Sequence, residues 1–160
     1  PVFARLMRDP RLDLYQSGES FPMGGSKVVR EGADITIASY GDMVFQAIEA
    51  ADELVRQGIE AEVLDLYSIK PYDRHGILKS TAKTGALVVV ENHQARNGLG
   101  YALAHLHLTE QPVPFESLGL QDTFAESGDY YKLLEKYGLS AQHVVQAALR
   151  TIAKKQRQTG

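Results

Sequence analysis

The sequence predicts an α/β fold: a three-layer α/β/α sandwich on a mostly parallel mixed sheet of about five strands with one antiparallel edge strand. Three observations carry this. Short strand-like runs alternate with amphipathic segments along the chain, and a parallel crossover needs a covering helix. The run Ala86-Leu87-Val88-Val89-Val90 is continuously apolar, as a strand buried on both faces requires. The chain has 160 residues, 44% of them hydrophobic and 23% charged, which makes one domain, and a domain of this size buries roughly 70% of its unfolded surface.

The elements follow in order. Residues 10–25 carry Pro10, Gly18, Pro22 and Gly24-Gly25 between short apolar pieces, the punctuation of a linker crossing a surface. Lys27–Arg30 and Asp34–Ser39 flank Glu31-Gly32-Ala33 and read as an antiparallel hairpin that opens the sheet. Val44, Ala47, Ile48, Ala51, Leu54 and Val55 recur at helical spacing, with Asp42 as the N-cap and Gly58 as the left-handed stop. Ile59–Leu66 returns to strand, Asp73–Lys83 reads as a helix, and the buried strand at 86–90 follows. A third helix is expected over Gly98–Leu108, a strand over Val113–Leu120, and a helix over Asp129–Tyr137 closed by Gly138. The last helix starts at a Ser140 cap, with Val144, Val145, Ala148, Leu149 and Ile152 on one stripe.

Composition removes several classes of function. The chain has no cysteine, so disulfides, thiolate metal sites, iron–sulfur clusters and a cysteine nucleophile are eliminated together. A formal net charge of −3 argues against nucleic acid, whose binders cluster Lys and Arg to meet phosphates. No run approaches the ~20 apolar residues of a membrane span, and no basic region followed by an apolar run marks a signal peptide. The chain reads as cytoplasmic, without a membrane partner. It opens on Pro1-Val2-Phe3-Ala4-Arg5-Leu6 without Met, which suggests a piece of a longer polypeptide.

Several motifs invite chemistry and stop short of it. Asn97-Gly98-Leu99-Gly100 invites a dinucleotide reading, because glycines let a backbone approach a pyrophosphate at a helix N-terminus. The third glycine of that fingerprint would fall on Leu103, and the glycines serve equally for close helix packing. His105 and His107 are two residues apart on a helix and point away from each other, so they do not make a metal pair. His93, in Glu91-Asn92-His93, falls just beyond the carboxyl end of the buried strand, where open α/β sheets place ligands. It reads either as a hydrogen-bonded loop histidine or as a group at a partner surface or active-site approach. No G-x-S-x-G elbow supplies a nucleophile for it. Lys70, before Pro71, reads as an anion contact or as the plain end of a strand.

Taken in order, four segments resemble the C-terminal domain of transketolase-type thiamine diphosphate enzymes, especially the short bacterial and archaeal C-terminal subunits. They are REGADITIASYGDMVFQAIEAADEL (Arg30 to Leu54), VLDLYSIKPYD (Val63 to Asp73), VVVENHQARNGLGYALA (Val88 to Ala104) and DTFAESGDYYKLLEKYGLS (Asp122 to Ser140). The resemblance implies residues 1–9 as a remnant of a preceding pyrimidine-binding domain, 10–25 as the linker and 26–156 as the transketolase C-terminal-like domain. It implies a structural, dimerising role in an enzyme that transfers a two-carbon ketol unit between sugar phosphates. The same domain type occurs in deoxyxylulose phosphate synthases and in 2-oxo acid dehydrogenase beta subunits, which implies subunit docking as the alternative.

The resemblance further implies that thiamine diphosphate and magnesium are bound by domains absent from this chain, so the fragment alone is inactive and no catalytic, cofactor or metal residue is carried over. The implied partners are a homodimer, or a heterotetramer with the thiamine-binding subunit, and a sugar phosphate in the full enzyme. One substrate residue is implied: Arg8, in Arg5-Leu6-Met7-Arg8, stands where transketolases place an arginine facing the sugar phosphate. A guanidinium fork suits phosphate oxygens. Met7 departs from the pattern, since many transketolases have Ser there.

Overall fold

In the computed structural model, which describes residues 2–4 and 13–159, the elements run β1 (Lys27–Arg30), β2 (Ile35–Ser39), α1 (Met43–Arg56), β3 (Ala61–Asp65), α2 (Arg74–Thr84), β4 (Leu87–Gln94), α3 (Leu99–Glu110), β5 (Phe115–Leu120), α4 (Tyr130–Lys136) and α5 (Ala141–Thr159). The five strands lie in the order β1-β3-β2-β4-β5. Only β1 is antiparallel to its neighbour; β2–β3, β2–β4 and β4–β5 are parallel. The three-layer sandwich with one antiparallel edge strand is therefore the observed architecture.

Alternation along the strands sorts the core into two layers. Ile35, Ile37, Ala61, Val63, Val88 and Val90 face one way, against buried residues of α1, α4 and α5. Ala38, Leu64, Leu87 and Val89 face the other way, against Ile77 of α2 and Leu99, Leu103 and Leu106 of α3. Helix ends fall where the chain chemistry puts them. Gly58 closes α1 at φ 76° and Gly85 ends α2 at φ 67°, both in the left-handed region that glycine enters without penalty. The Asp73 carboxylate caps α2 by accepting the Gly76 amide at 2.8 Å.

The expected hairpin does not form. β1 pairs with β3, Lys27 opposite Asp65 and Val28 opposite Leu64, so residues 31–34 cross the start of β3 instead of turning back. Amides of Ala33 and Asp34 both donate to the Glu60 carbonyl, at 3.0 and 2.9 Å. Gly32 makes the crossing possible, because a Cβ there would lie 2.2 Å from the Ala61 carbonyl carbon. All five residues of β2 are buried, and such a strand needs strands on both sides. Lys-Val-Val-Arg, half polar, suits the edge.

Two caps also differ from expectation. Asp42 occupies the N-cap position of α1 in helical backbone geometry and its side chain makes no cap bond, since other groups take its carboxylate. At α5, the Ser140 hydroxyl donates to Glu135 at 2.7 Å, and the first helical amide, Ala141, is taken by Gln46 of α1 at 2.9 Å. At Asp42 tertiary partners take the capping side chain, whereas at Ser140 the hydroxyl goes to neighbouring side chains and a tertiary partner takes the helical amide.

Polar groups buried under α2 and α3 are paired. Ser80 Oγ donates to Glu62 at 2.5 Å and lies 2.7 Å from Thr36 Oγ1, which lies 2.7 Å from Thr84 Oγ1; Lys83 pairs with Glu62. His107 is buried, with Nδ1 2.8 Å from the Leu103 carbonyl and Nε2 3.0 Å from Thr81 Oγ1. Burial holds its imidazole below the usual range, against the opposite pull of the Leu103 carbonyl.

Two measurements check this packing. Gly32→Ala should lower the unfolding free energy by about 1–3 kcal/mol, the usual cost of forcing atoms into a filled site, read from urea denaturation; an unchanged midpoint would contradict the crossing. Because His107 binds its proton more weakly folded than unfolded, its contribution is complete above the unfolded value near ~6.5 and is lost as pH falls through the folded value. The drop in urea midpoint between about pH 8 and about pH 5 should therefore be smaller in His107→Asn than in the parent.

Candidate functional site

Chemistry-bearing residues gather at the carboxyl end of the sheet, and β4 brings most of them. This strand runs on to Gln94, past the expected end at Val90, and its five residues Val90–Gln94 are opposed by only three of β5, Leu118–Leu120. That bulge carries Glu91, Asn92 and His93 within the strand rather than beyond it.

Glu91 is 1% exposed and points under the start of α3. Its two carboxylate oxygens accept the amides of Leu99 and Gly100, each at 2.8 Å, and Tyr40 donates its hydroxyl to one of them at 3.3 Å. The glycines of Asn97-Gly98-Leu99-Gly100 are thereby explained. A Cβ on Gly98 would lie 2.4 Å from the carboxylate, and one on Gly100 would lie 2.7 Å from Ser117 Cβ. The place at the helix N-terminus where a pyrophosphate would sit in the dinucleotide reading is filled by a carboxylate of the chain itself.

Asn92 gives its amide to both oxygens of Asp42, at 2.9 Å each, and Tyr130 donates its hydroxyl to the same carboxylate at 2.6 Å. One buried carboxylate thus ties the β2–α1 junction, the end of β4 and the start of α4. On the other side of β2, residues 13–26 lie along the carboxyl end of β3. Tyr15 donates to Asp65 at 2.7 Å, the Gly24 amide to Ser68 at 2.9 Å, and Ser26 to Asp73 at 2.8 Å. The Phe21 ring packs edge-on between Tyr15 and Tyr67, and Lys27 Nζ lies 4.0 Å from its centroid. Asp65 is 5% exposed and its second oxygen is unpartnered. Burial raises the Asp65 carboxyl above the usual range despite the Tyr15 hydrogen bond, and burial followed by the bond to Asp65 raises the Tyr15 phenol.

The candidate residues from sequence are distributed as follows. His93 is exposed at the carboxyl end of the sheet, its Nδ1 3.0 Å from the Gln94 carbonyl. Lys70 is exposed in the β3–α2 connection. His105 is exposed and His107 buried on opposite sides of α3. Arg8 lies outside the described residues. Among the described residues no group of three or more His, Asp or Glu is arranged to hold a metal ion. A groove of about 470 Å³ lies on the helical side between α1, α4 and α5, lined by Glu49, Asp52, Glu53 and Glu135 among others. Sequence reasoning missed the Glu91 cap and the Asp42–Asn92–Tyr130 tie; the only signal for the first was an acidic residue at a strand end ahead of Gly98 and Gly100. The arrangement stiffens the carboxyl-end loops, since its carboxylates accept bonds from neighbouring segments.

Residues 24–144 match the family model "Transketolase, C-terminal domain". The chain is 43% identical over 150 residues to the 6-deoxy-6-sulfo-D-fructose transketolase subunit SqwH of Clostridium sp. (strain MSTE9), covering 92% of this chain and 46% of that protein. It is 34% identical over 155 residues to an apulose-4-phosphate transketolase subunit of Phocaeicola vulgatus, covering 96% and 49%. Among solved structures, one titled "Split gene transketolase, inactive beta4 tetramer" superposes with a TM-score of 0.86 at 40% identity, covering 90% of this chain and 47% of that one. The chain thus spans about half the length of these relatives.

Replacing Glu91 with Ala should cost about 2–3 kcal/mol of stability, because two buried amides lose a charged acceptor. Urea denaturation measures this; a loss below about 0.5 kcal/mol would show that the carboxylate does not hold α3.

Proposed function

Because this chain belongs to the transketolase C-terminal domain family, we propose that it is the structural and dimerising part of a split transketolase-like enzyme that moves a two-carbon ketol unit between sugar phosphates. The observation that carries this is the pairing of a family match over residues 24–144 with relatives that are themselves named as transketolase subunits. The geometry supports it: the carboxyl-end loops are braced by internal carboxylates, which suits a surface held for a partner. The neighbour titled a beta4 tetramer supports self-association of the subunit that carries this chain, alongside a thiamine-binding subunit. A cytoplasmic setting belongs to the same reading.

Thiamine diphosphate and magnesium are implied for the full enzyme, where the cofactor supplies the carbanion chemistry of ketol transfer. The described residues of this chain do not fit them. The N-terminus of α3 is filled by Glu91, and the buried carboxylates beside it accept bonds from the chain itself, Asp42 from Asn92 and Tyr130 and Asp65 from Tyr15 on one oxygen, while no group of three or more His, Asp or Glu among the described residues is arranged to hold a metal ion. In this proposal the cofactor sits in other parts of the enzyme. Arg8 would bind the substrate phosphate through its guanidinium fork. His93 would face the subunit interface or the active-site approach. The runner-up, a docking domain of a 2-oxo acid dehydrogenase beta subunit or of a deoxyxylulose phosphate synthase, draws support from two 1-deoxy-D-xylulose-5-phosphate synthases that are 36% and 33% identical to this chain, and is less favoured because the relatives of about twice this chain's length are named as transketolase subunits.

The test is a coupled assay of the assembled enzyme with a ketose phosphate donor and an aldose phosphate acceptor. Transfer should require the subunit carrying this chain, and transfer at full rate without it would sink the proposal. In the same enzyme His93→Ala should lower turnover or dimer stability while the melting of this domain stays nearly unchanged; normal turnover and assembly of that variant would remove His93 from the interface.

A further inference from the structure

After β5 the chain passes through residues 121–129, an exposed loop whose Phe124 is 98% exposed. The loop is fastened on both sides of that ring. Gln94 Nε2 donates to the Thr123 carbonyl at 2.7 Å, the Glu126 amide donates to the Tyr137 hydroxyl at 3.0 Å, and Lys136 pairs with Glu126 at 2.7 Å. Asp122 adopts the left-handed backbone at φ 51°, which Asp tolerates better than most residues. A bare phenylalanine on a braced loop gains nothing from its own domain. It has already lost the conformational freedom that binding would otherwise cost, and aromatic rings so presented are the usual anchors of interfaces.

The neighbouring loop completes a surface. The Ala95 amide donates to the Leu120 carbonyl at 2.9 Å, and Gly119 packs so closely that a Cβ would lie 3.1 Å from Ala95 Cα and from the His93 carbonyl. Residues 93–97 and 121–126 therefore form two adjacent lips at the β5 edge. One lip exposes His93 and Arg96; the other exposes Asp122 and Phe124. Arg96 and Asp122 make no ion pair among the described residues. Adjacent lips of opposite charge are the arrangement that a two-fold axis pairs between identical copies, the lip of one against the other lip of its partner.

We propose that these lips form a two-fold contact with a second copy of this chain, anchored by Phe124 and registered by Arg96 of each copy against Asp122 of the other. The proposal rests on the reading above that the subunit carrying this chain self-associates. Sedimentation equilibrium of that complete subunit, with and without the thiamine-binding subunit, tests both separately. Phe124→Ser should weaken self-association at least about tenfold with unchanged melting. Arg96→Asp and Asp122→Arg should each weaken it, and the double exchange should restore it to within about threefold. Asp122→Asn, which keeps the left-handed backbone, should weaken it as well. If the parent subunit is monomeric throughout, the self-association reading falls and this contact with it. If the parent associates and every variant associates equally, the contact is wrong and the reading stands. If only binding to the thiamine-binding subunit weakens, that subunit occupies the lips and the proposal is overturned.

Discussion

A helix that starts against the end of a buried strand brings unpaired amides to a place that water does not reach, and here the Glu91 carboxylate answers two of them. Much of the carboxyl end follows from that contact. The acceptor must come from β4, so the strand stays extended past Val90 and bulges against β5. The amides must come close, so Gly98 and Gly100 carry no Cβ. Between those two fixed points residues 92–97 have little freedom, and they are the residues that carry His93 and Arg96. A structural carboxylate thereby sets the position of groups that face outward.

The same economy recurs nearby with a different outcome. Asp42 holds three segments through Asn92 and Tyr130 at the cost of its local cap. Asp65 holds the incoming chain through Tyr15 and keeps one oxygen unpartnered, and its raised proton affinity reflects that burial. These carboxylates act as struts between segments distant in sequence, and burial with a raised proton affinity does not by itself mark a catalytic group.

The layers were legible because periodicity reports burial directly. Val88 and Val90 face one layer and Leu87 and Val89 the other, as a continuous apolar run implies, and Gly58 and Gly85 mark helix ends by a conformation that few other residues accept. The partner of β1 was not legible, because Lys27–Arg30 has the pattern of an edge strand and nothing local says which edge it joins; the decisive fact is the space around Gly32, which only the folded chain reveals. The candidate site was legible as a place, the carboxyl end of β4, and not as a set of contacts. Asp42 and Tyr130 are 88 residues apart, and no spacing rule links them. The resemblance to a family located the domain but said nothing of Glu91 or Asp42.

The antiparallel course of β1 decides the polarity of the tether. With Lys27 opposite Asp65, the incoming chain arrives at the carboxyl end of the sheet, beside the loops that bear the outward-facing groups. A parallel β1 would have delivered it to the opposite end, about 17 Å away for strands of this length. Residues 13–26 are therefore moored along that same end, through Tyr15, Gly24 and Ser26, and a load on this segment is passed to the ends of β3 and α2 and not to the opposite rim of the sheet.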